Sequence, residues 1–190
     1  MRLRSASLLA MSLALVGSVA ASAEELPVAL QAQLLSKMTT YIGTLAPGDG
    51  ATIKVLVVSA APPDAPSRGA QAIAAAIGQV GKLGAYKVET KLVTFASAKK
   101  LQASVTDEKP QIVYLAPEID EKGAQAVVEA VGTAPVVTIS GVSDHVKQGV
   151  VLGFSMEEAR PRVLVHLKQA RKQSIEFRNG LLAHAVIVEK

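Results

Sequence analysis

Gly141-Val142-Ser143-Asp144-His145 sets a hydroxyl, a carboxylate and an imidazole side by side, the three side-chain types of a nucleophilic hydrolase. The spacing works against that chemistry. A triad needs its nucleophile, base and orienting acid to converge from separate points of the fold, which sequence neighbours rarely do. No Gly-x-Ser-x-Gly elbow is present to lift a serine out of a strand-to-helix turn. The other histidines, His166 and His184, stand alone, and neither His-x-His nor His-Glu-x-x-His occurs, so nothing has the spacing of a zinc site. Gly78-Gln79-Val80-Gly81-Lys82-Leu83-Gly84 has the look of a nucleotide loop. It lacks the four-residue gap before Gly-Lys, and Leu83 stands where Ser or Thr is required, so it reads as a helix terminus with C-cap glycines. The expectation is a protein that binds rather than catalyses, with no cofactor.

Binding needs elements to position it, and these are legible. Residues 27–46 carry an apolar stripe, Leu30, Leu34, Leu35, Met38 and Ile42, at helical spacing. Pro47-Gly48-Asp49-Gly50 ends that helix in a turn. Ile53 to Val58 is a nearly continuous apolar run, suited to a strand buried on both faces. Ser67 caps a helix whose inner face holds Ala70, Ile73, Ala74 and Ile77. The alternation then repeats: strand Tyr86–Phe95, helix Ser97–Val105, strand Ile112–Leu115, helix 118–131 and strand Pro135–Ile139. Such a series makes a mostly parallel sheet with helices on both faces, joined by right-handed crossovers. After Ser140 the pattern changes to a loop from Gly141 to Gln148, then a hairpin flanking the acidic tip Glu157–Pro161. A helical turn at 168–173 and a last helix from about Asn179 to Val188 complete the chain. The fold class is therefore α/β: a single three-layer domain with a mostly parallel sheet, a C-terminal antiparallel hairpin and a closing helix.

Open parallel sheets take ligands beyond the carboxyl ends of their strands. Three loops lie there, Ser59–Arg68, Ala116–Asp120 and Ser140–His145. The candidate partner or ligand surface is accordingly Pro62, Pro63, Asp64, Pro66, Ser67, Arg68, Glu118, Ser140, Asp144 and His145. Helix amides after Ser67, with Arg68 beside them, could cradle an anion, although an ordinary capped helix start is the commoner arrangement. The Pro-rich loop equally suits a rigid partner surface, because proline lowers the entropy lost on docking. Lys168, Arg171, Lys172 and Arg178 form a modest basic patch, read first as a solvated helix face and second as a surface for an acidic partner or lipid headgroups.

The 190-residue chain opens with Arg2 and Arg4, an apolar stretch from Leu8 to Val19, and the small-x-small sequence Ala21-Ser22-Ala23. That is the pattern of a cleavable signal peptide, residues 1–23, and the stretch is shorter than the ~20 residues a membrane span needs. The remaining residues 24–190 suffice for one domain with a proper core. Losing two arginines lowers the formal charge from +4 to +2. A surface so nearly balanced gives no argument for nucleic acid, and export argues against it. With no Cys the chain has no disulfide, thiolate metal site or lipoprotein anchor. Three Phe, three Tyr and no Trp leave little for stacking on sugars or bases.

The C-terminal third carries a family likeness. Pro135-Val136-Val137-Thr138-Ile139-Ser140 leads into a loop ending at Gln148-Gly149, followed by Val151-Leu152-Gly153-Phe154. Arg162-Val163-Leu164-Val165-His166-Leu167-Lys168-Gln169-Ala170-Arg171 and Ile175 to Leu182 come next. In order and spacing this resembles the YfiR-like family of periplasmic regulators, and Leu35 to Ile42 and Asp64 to Gly69 are similar to its N-terminal motifs. The chain departs from the pattern in having a single Gly149, in Val163 for arginine and Leu164 for phenylalanine, and in lacking the tryptophan and the cysteines. The resemblance implies a periplasmic repressor that binds an inner-membrane sensor, a diguanylate cyclase or a histidine kinase, by protein–protein contact. The alternative is a small-ligand binder resembling one lobe of a periplasmic solute-binding protein, in which a homodimer would supply the missing wall. A hydrolase is the weakest reading.

Overall fold

In the computed structural model, residues 26–45, 52–60, 65 and 67–189 are described. The expected signal peptide, the Pro47–Gly50 turn, and Pro62, Pro63, Asp64 and Pro66 of the candidate surface lie outside the described residues. The first half runs α1 (Val28–Thr39), β1 (Thr52–Ser59), α2 (Arg68–Val80), β2 (Lys82–Leu83), β3 (Tyr86–Thr94), α3 (Ala98–Glu108) and β4 (Ile112–Leu115). The second runs α4 (Glu121–Val131), β5 (Val137–Ser140), α5 (Ser143–Lys147), β6 (Leu152–Glu157), β7 (Arg160–His166), α6 (Leu167–Lys172), α7 (Asn179–Leu182) and β8 (Val186–Glu189).

The strands form one sheet in the order β2-β3-β1-β4-β5-β6-β7-β8. β3, β1, β4, β5 and β6 are parallel, β2 and β7 run antiparallel to their inner neighbours, and β8 pairs parallel to β7. β1 is paired along both edges and covered by helices on both faces. Ile53, Val55 and Val57 face a core shared with α1 and α2, and Leu56 and Val58 face one shared with α3 and α4. The first connection leaves β1 in one direction and the next two return in the other, which places α2 on one face and α3 and α4 on the opposite face.

Four helices start on side chains that take an orphan amide, α6 on His166 and three on a serine or an aspartate. Ser67 accepts from Ala70 N at 3.0 Å, Ser97 from Lys100 N at 3.3 Å, and Asp120 from Gly123 N at 2.7 Å. Such caps are each worth ~1 kcal/mol. Ala124, Val127, Val128 and Val131 are buried along α4, as their spacing predicts. Gly81 is the left-handed C-cap of α2. Gly84 serves a different purpose, the tight turn between β2 and β3, with φ +61°.

Two segments differ in type from the sequence expectation. The loop after Ser140 contains α5, a helix of five residues. The helix expected over 179–188 stops at Leu182, and Val186–Glu189 instead adds a strand beside β7. Three consecutive β-branched residues, Val186-Ile187-Val188, explain the change, since they lose χ1 freedom in a helix and suit a half-buried edge strand. The hairpin between β6 and β7 turns at Glu158 and Ala159, both with positive φ (49° and 59°), the geometry that a two-residue hairpin demands.

α5 lies close on β6, where a Cβ on Gly153 would stand 2.2 Å from Val146 Cγ2. Substituting Gly153→Ala is therefore expected to destabilise the protein by about 1–3 kcal/mol through overpacking. Adding Val146→Ala should recover a large part of that loss in a double-mutant cycle read by urea denaturation.

Candidate functional site

The strand order reverses between β1 and β4, so the crevice of this sheet opens where those two strands end. Ser59 closes β1, and Ala116-Pro117-Glu118-Ile119-Asp120 follows β4. Glu118 reaches across the crevice. Its Oε1 accepts a hydrogen bond from Ser59 Oγ at 2.8 Å and a second from Ser67 Oγ. Pro117 and Glu118 also press on the first turn of α2: a Cβ on Gly69 would stand 2.8 Å from Pro117 Cγ and 3.1 Å from Glu118 Oε2. The carboxylate seated at this helix start is thus the chain's own. Arg68 sits beside it on the first turn of α2 and is exposed.

Ser140 and His145 form a second cluster. His145 is 2% exposed and Ser140 fully buried. His145 Nε2 lies 2.8 Å from the Ile119 carbonyl. A carbonyl only accepts, so Nε2 carries the proton and Nδ1 is the acceptor. Nδ1 takes the Ser140 hydroxyl at 2.8 Å, and Ser140 Oγ in turn accepts from Val142 N at 3.0 Å. The neutral ring therefore ties the loop after β5 to the loop after β4. Asp144 is not part of this chain; it pairs with Lys147 at 2.6 Å on the outer side of α5.

A third group closes the rim from the opposite face. Gln31, in α1, is 3% exposed. Its Nε2 donates to the Leu26 carbonyl at 2.6 Å, and its Oε1 accepts from the Tyr114 hydroxyl. A Cβ on Gly141 would fall 2.2 Å from Gln31 Oε1, so the amide packs directly on bare backbone at the end of β5.

The structure thus brings Ser67, Arg68 and Glu118 to one point and Ser140 and His145 to another, joined through residues 117–120. Sequence reasoning missed Ser59, Gln31 and Tyr114. A serine closing a strand gave a weak signal for the first, and a glutamine inside the apolar stripe of α1 gave one for the second. The Ser140–His145 pair does not make a nucleophile: the hydroxyl is buried, and the ring is oriented by a carbonyl rather than a carboxylate. Among the described residues no three His, Asp or Glu side chains are grouped to hold a metal ion. His166 accepts from Gln169 N at 3.1 Å through Nδ1, and its Nε2 faces Glu189 at 3.1 Å. His184 is exposed.

Burial holds the His145 imidazole below its ordinary range, opposed by the hydrogen bond to Ile119 and the charges of Asp144, Glu121 and Asp120. The unfolded chain therefore binds this proton more tightly than the folded one. Stability from this group is complete above the ordinary imidazole value of about 6.5 and is lost as pH falls below it towards the depressed folded value. Unfolding should take up to one proton in that window, a slope of at most about 1.4 kcal/mol per pH unit. Denaturation midpoints measured from pH 8 to pH 5 should show this slope, and His145→Gln should flatten it.

A family model described as YfiR/HmsC-like matches residues 28–186. No curated protein matches the chain. Among solved structures, the ABC domain in complex with L-Trp from Streptococcus pneumonia is similar at TM-score 0.57 and 12% identity over 85% of this chain and 62% of its own. A conserved domain protein from Vibrio cholerae O1 biovar El Tor is similar at TM-score 0.52 and 14% identity, over 85% of this chain and 60% of its own. A substrate-binding protein with adhesive properties from Clostridium difficile, in its ligand-free, open form, is similar at TM-score 0.54 and 12% identity, over 83% and 58%. The chain spans about three fifths of the length of these structures, and at such identities the likeness is one of fold. Among the described residues no helix is long and apolar enough to cross a membrane. The family pattern runs through α1, the whole parallel sheet and the C-terminal hairpin, and on that match the chain belongs to the YfiR/HmsC-like family of periplasmic regulators.

Proposed function

We propose that this chain is exported through its N-terminal signal peptide and works in the periplasm by contact with a membrane-bound sensor, as repressors of diguanylate cyclases do. One observation carries the reading beyond the family match: the crevice where such a sheet would take a solute is filled from within. Glu118 occupies the start of α2, held by Ser59 and Ser67, and Gln31 packs on Gly141. What the rim then offers is a surface, on which Arg68 is presented for contact. A specific interface of that kind covers about 800 Å² per partner.

Deleting the gene should raise cyclic di-GMP several-fold in the native cell, and the wild-type chain should restore the low level. Arg68→Glu should fold with an unchanged melting temperature yet fail to restore it. A photo-crosslinking residue at position 68 should capture a membrane-anchored cyclase. Unaltered cyclic di-GMP in the deletion strain, with no membrane sensor captured, would refute the proposal.

The second reading, a small-ligand binder, draws on the fold likeness to a substrate-binding protein and to a domain solved with L-Trp. It requires Glu118 or Gln31 to move aside for the solute. A metabolite panel in which some compound raises the melting temperature of wild type, and raises it further in Glu118→Ala, would favour it.

A further inference from the structure

Two loops at the carboxyl edge hang on one ring. His145 Nε2 holds the Ile119 carbonyl and Nδ1 takes the Ser140 hydroxyl, both at 2.8 Å. Between Ala116, whose N donates to the Val58 carbonyl at 2.9 Å, and Asp120, which caps α4, stands exposed Glu118. Its carboxylate reaches Ser59 and Ser67, so the ring stands two bonds away from the start of α2.

A second proton on His145 would place a cation where water does not reach. Among the described residues no carboxylate lies within ion-pair distance of the ring. The charges that bear on it are Asp144 on α5 and Glu121 and Asp120 at the start of α4. Asp144 already holds Lys147 at 2.6 Å, Glu121 accepts from Gln148 Nε2 at 3.2 Å, and Asp120 from Gly123 N at 2.7 Å. β5 and the start of β6 add no charge, their residues being Val137 to Ser140 and Leu152 to Phe154. β7 and β8, which α5 also touches, bring His166 and Glu189, and these face one another at 3.1 Å. The charged ring gains most by moving into water. The element that carries it is lightly held: α5 has five residues, no side-chain cap, and Val146 against Gly153 as its apolar anchor. Short segments with few buried contacts are the ones that open while the rest stays folded.

From this geometry we infer that His145 is an acid-operated joint: its protonation lifts α5, frees residues 116–120 and withdraws Glu118 from α2, while the sheet stays folded. The consequence for signalling rests on the sensor contact proposed above. Arg68 follows Ser67 directly, so a loosened rim must be re-ordered on docking and binds its partner more weakly. Acid outside the cytoplasm is then the stimulus that releases the sensor.

The test is native-state hydrogen exchange of the purified protein from pH 8 to pH 5, corrected for intrinsic rates. The amides of Ile119, Val142 and His145 should exchange through an opening that leaves Val57 and Val113 protected. Below about pH 6.5 the opened population should rise by up to tenfold per pH unit. The ¹⁵N signals of the His145 ring should titrate over the same range. In His145→Gln the rise should vanish, whereas Ser140→Ala should open the rim further at every pH and keep the rise. Exchange of the three amides only together with Val57 and Val113, or an opening indifferent to pH, would overturn the joint. Crosslinking of the sensor from position 68 should fall several-fold between pH 7.5 and pH 5.5, but not in His145→Gln. Undiminished capture by wild type at pH 5.5 would overturn the control of the sensor. Capture at neither pH counts against the contact alone, because exchange decides the joint without a sensor.

Discussion

The rim of this protein depends on a buried hydrogen-bond chain from Val142 N through Ser140 and His145 to the Ile119 carbonyl. Parallel strands that stop pairing at their carboxyl ends release amides and carbonyls into loops, and buried groups of that kind must find partners. Here one neutral imidazole serves two of these loops at once. It accepts a hydrogen bond from the serine that ends β5 and donates one to the carbonyl of the residue just before the cap of α4. The ring works only in this tautomer and only uncharged, because a second ring proton would meet the Ser140 oxygen without removing the cost of burying the charge. The arrangement of residues 117–120 follows from it, and with that the reach of Glu118 to Ser59 and Ser67.

Much of this could be read from the residues. The apolar run Ile53–Val58 required a strand covered on both faces, and Ser67 marked a helix start by its cap chemistry. Ala124, Val127, Val128 and Val131 announced the inner face of α4 by spacing alone. These are local signals, and local signals survive folding. The segments that escaped are those settled by distant partners. α5 has five residues, too few for a periodic pattern and without a side-chain cap, and it exists because Val146 packs on Gly153. Val186 to Glu189 follow the short helix Asn179–Leu182, and the open edge of β7 takes their β-branched side chains as a strand.

The candidate surface was legible in the same uneven way. The rule that ligands gather at strand carboxyl ends located Ser67, Glu118, Ser140 and His145 correctly within the fold, since it depends only on strand direction. It says nothing about which side chain fills the space. Gln31 comes from a helix 83 residues before the Tyr114 that it meets, and no pattern in either segment announces the pairing. A glutamine in an apolar stripe is ordinarily a tolerated polar residue at the edge of a helix face. Its burial here is paid for by two hydrogen bonds and by the missing side chain of Gly141.

The carboxyl edge of the sheet is closed by one rule, hydrogen-bond completeness. At the carboxyl edge Ser59, Ser67, Ser140, His145 and Gln31 all find partners inside the chain, so a solute would have to displace an existing bond to enter. Displacement returns little net energy, because each bond gained replaces one lost. A flat partner needs no such exchange, since it covers exposed groups such as Arg68 without entering the crevice.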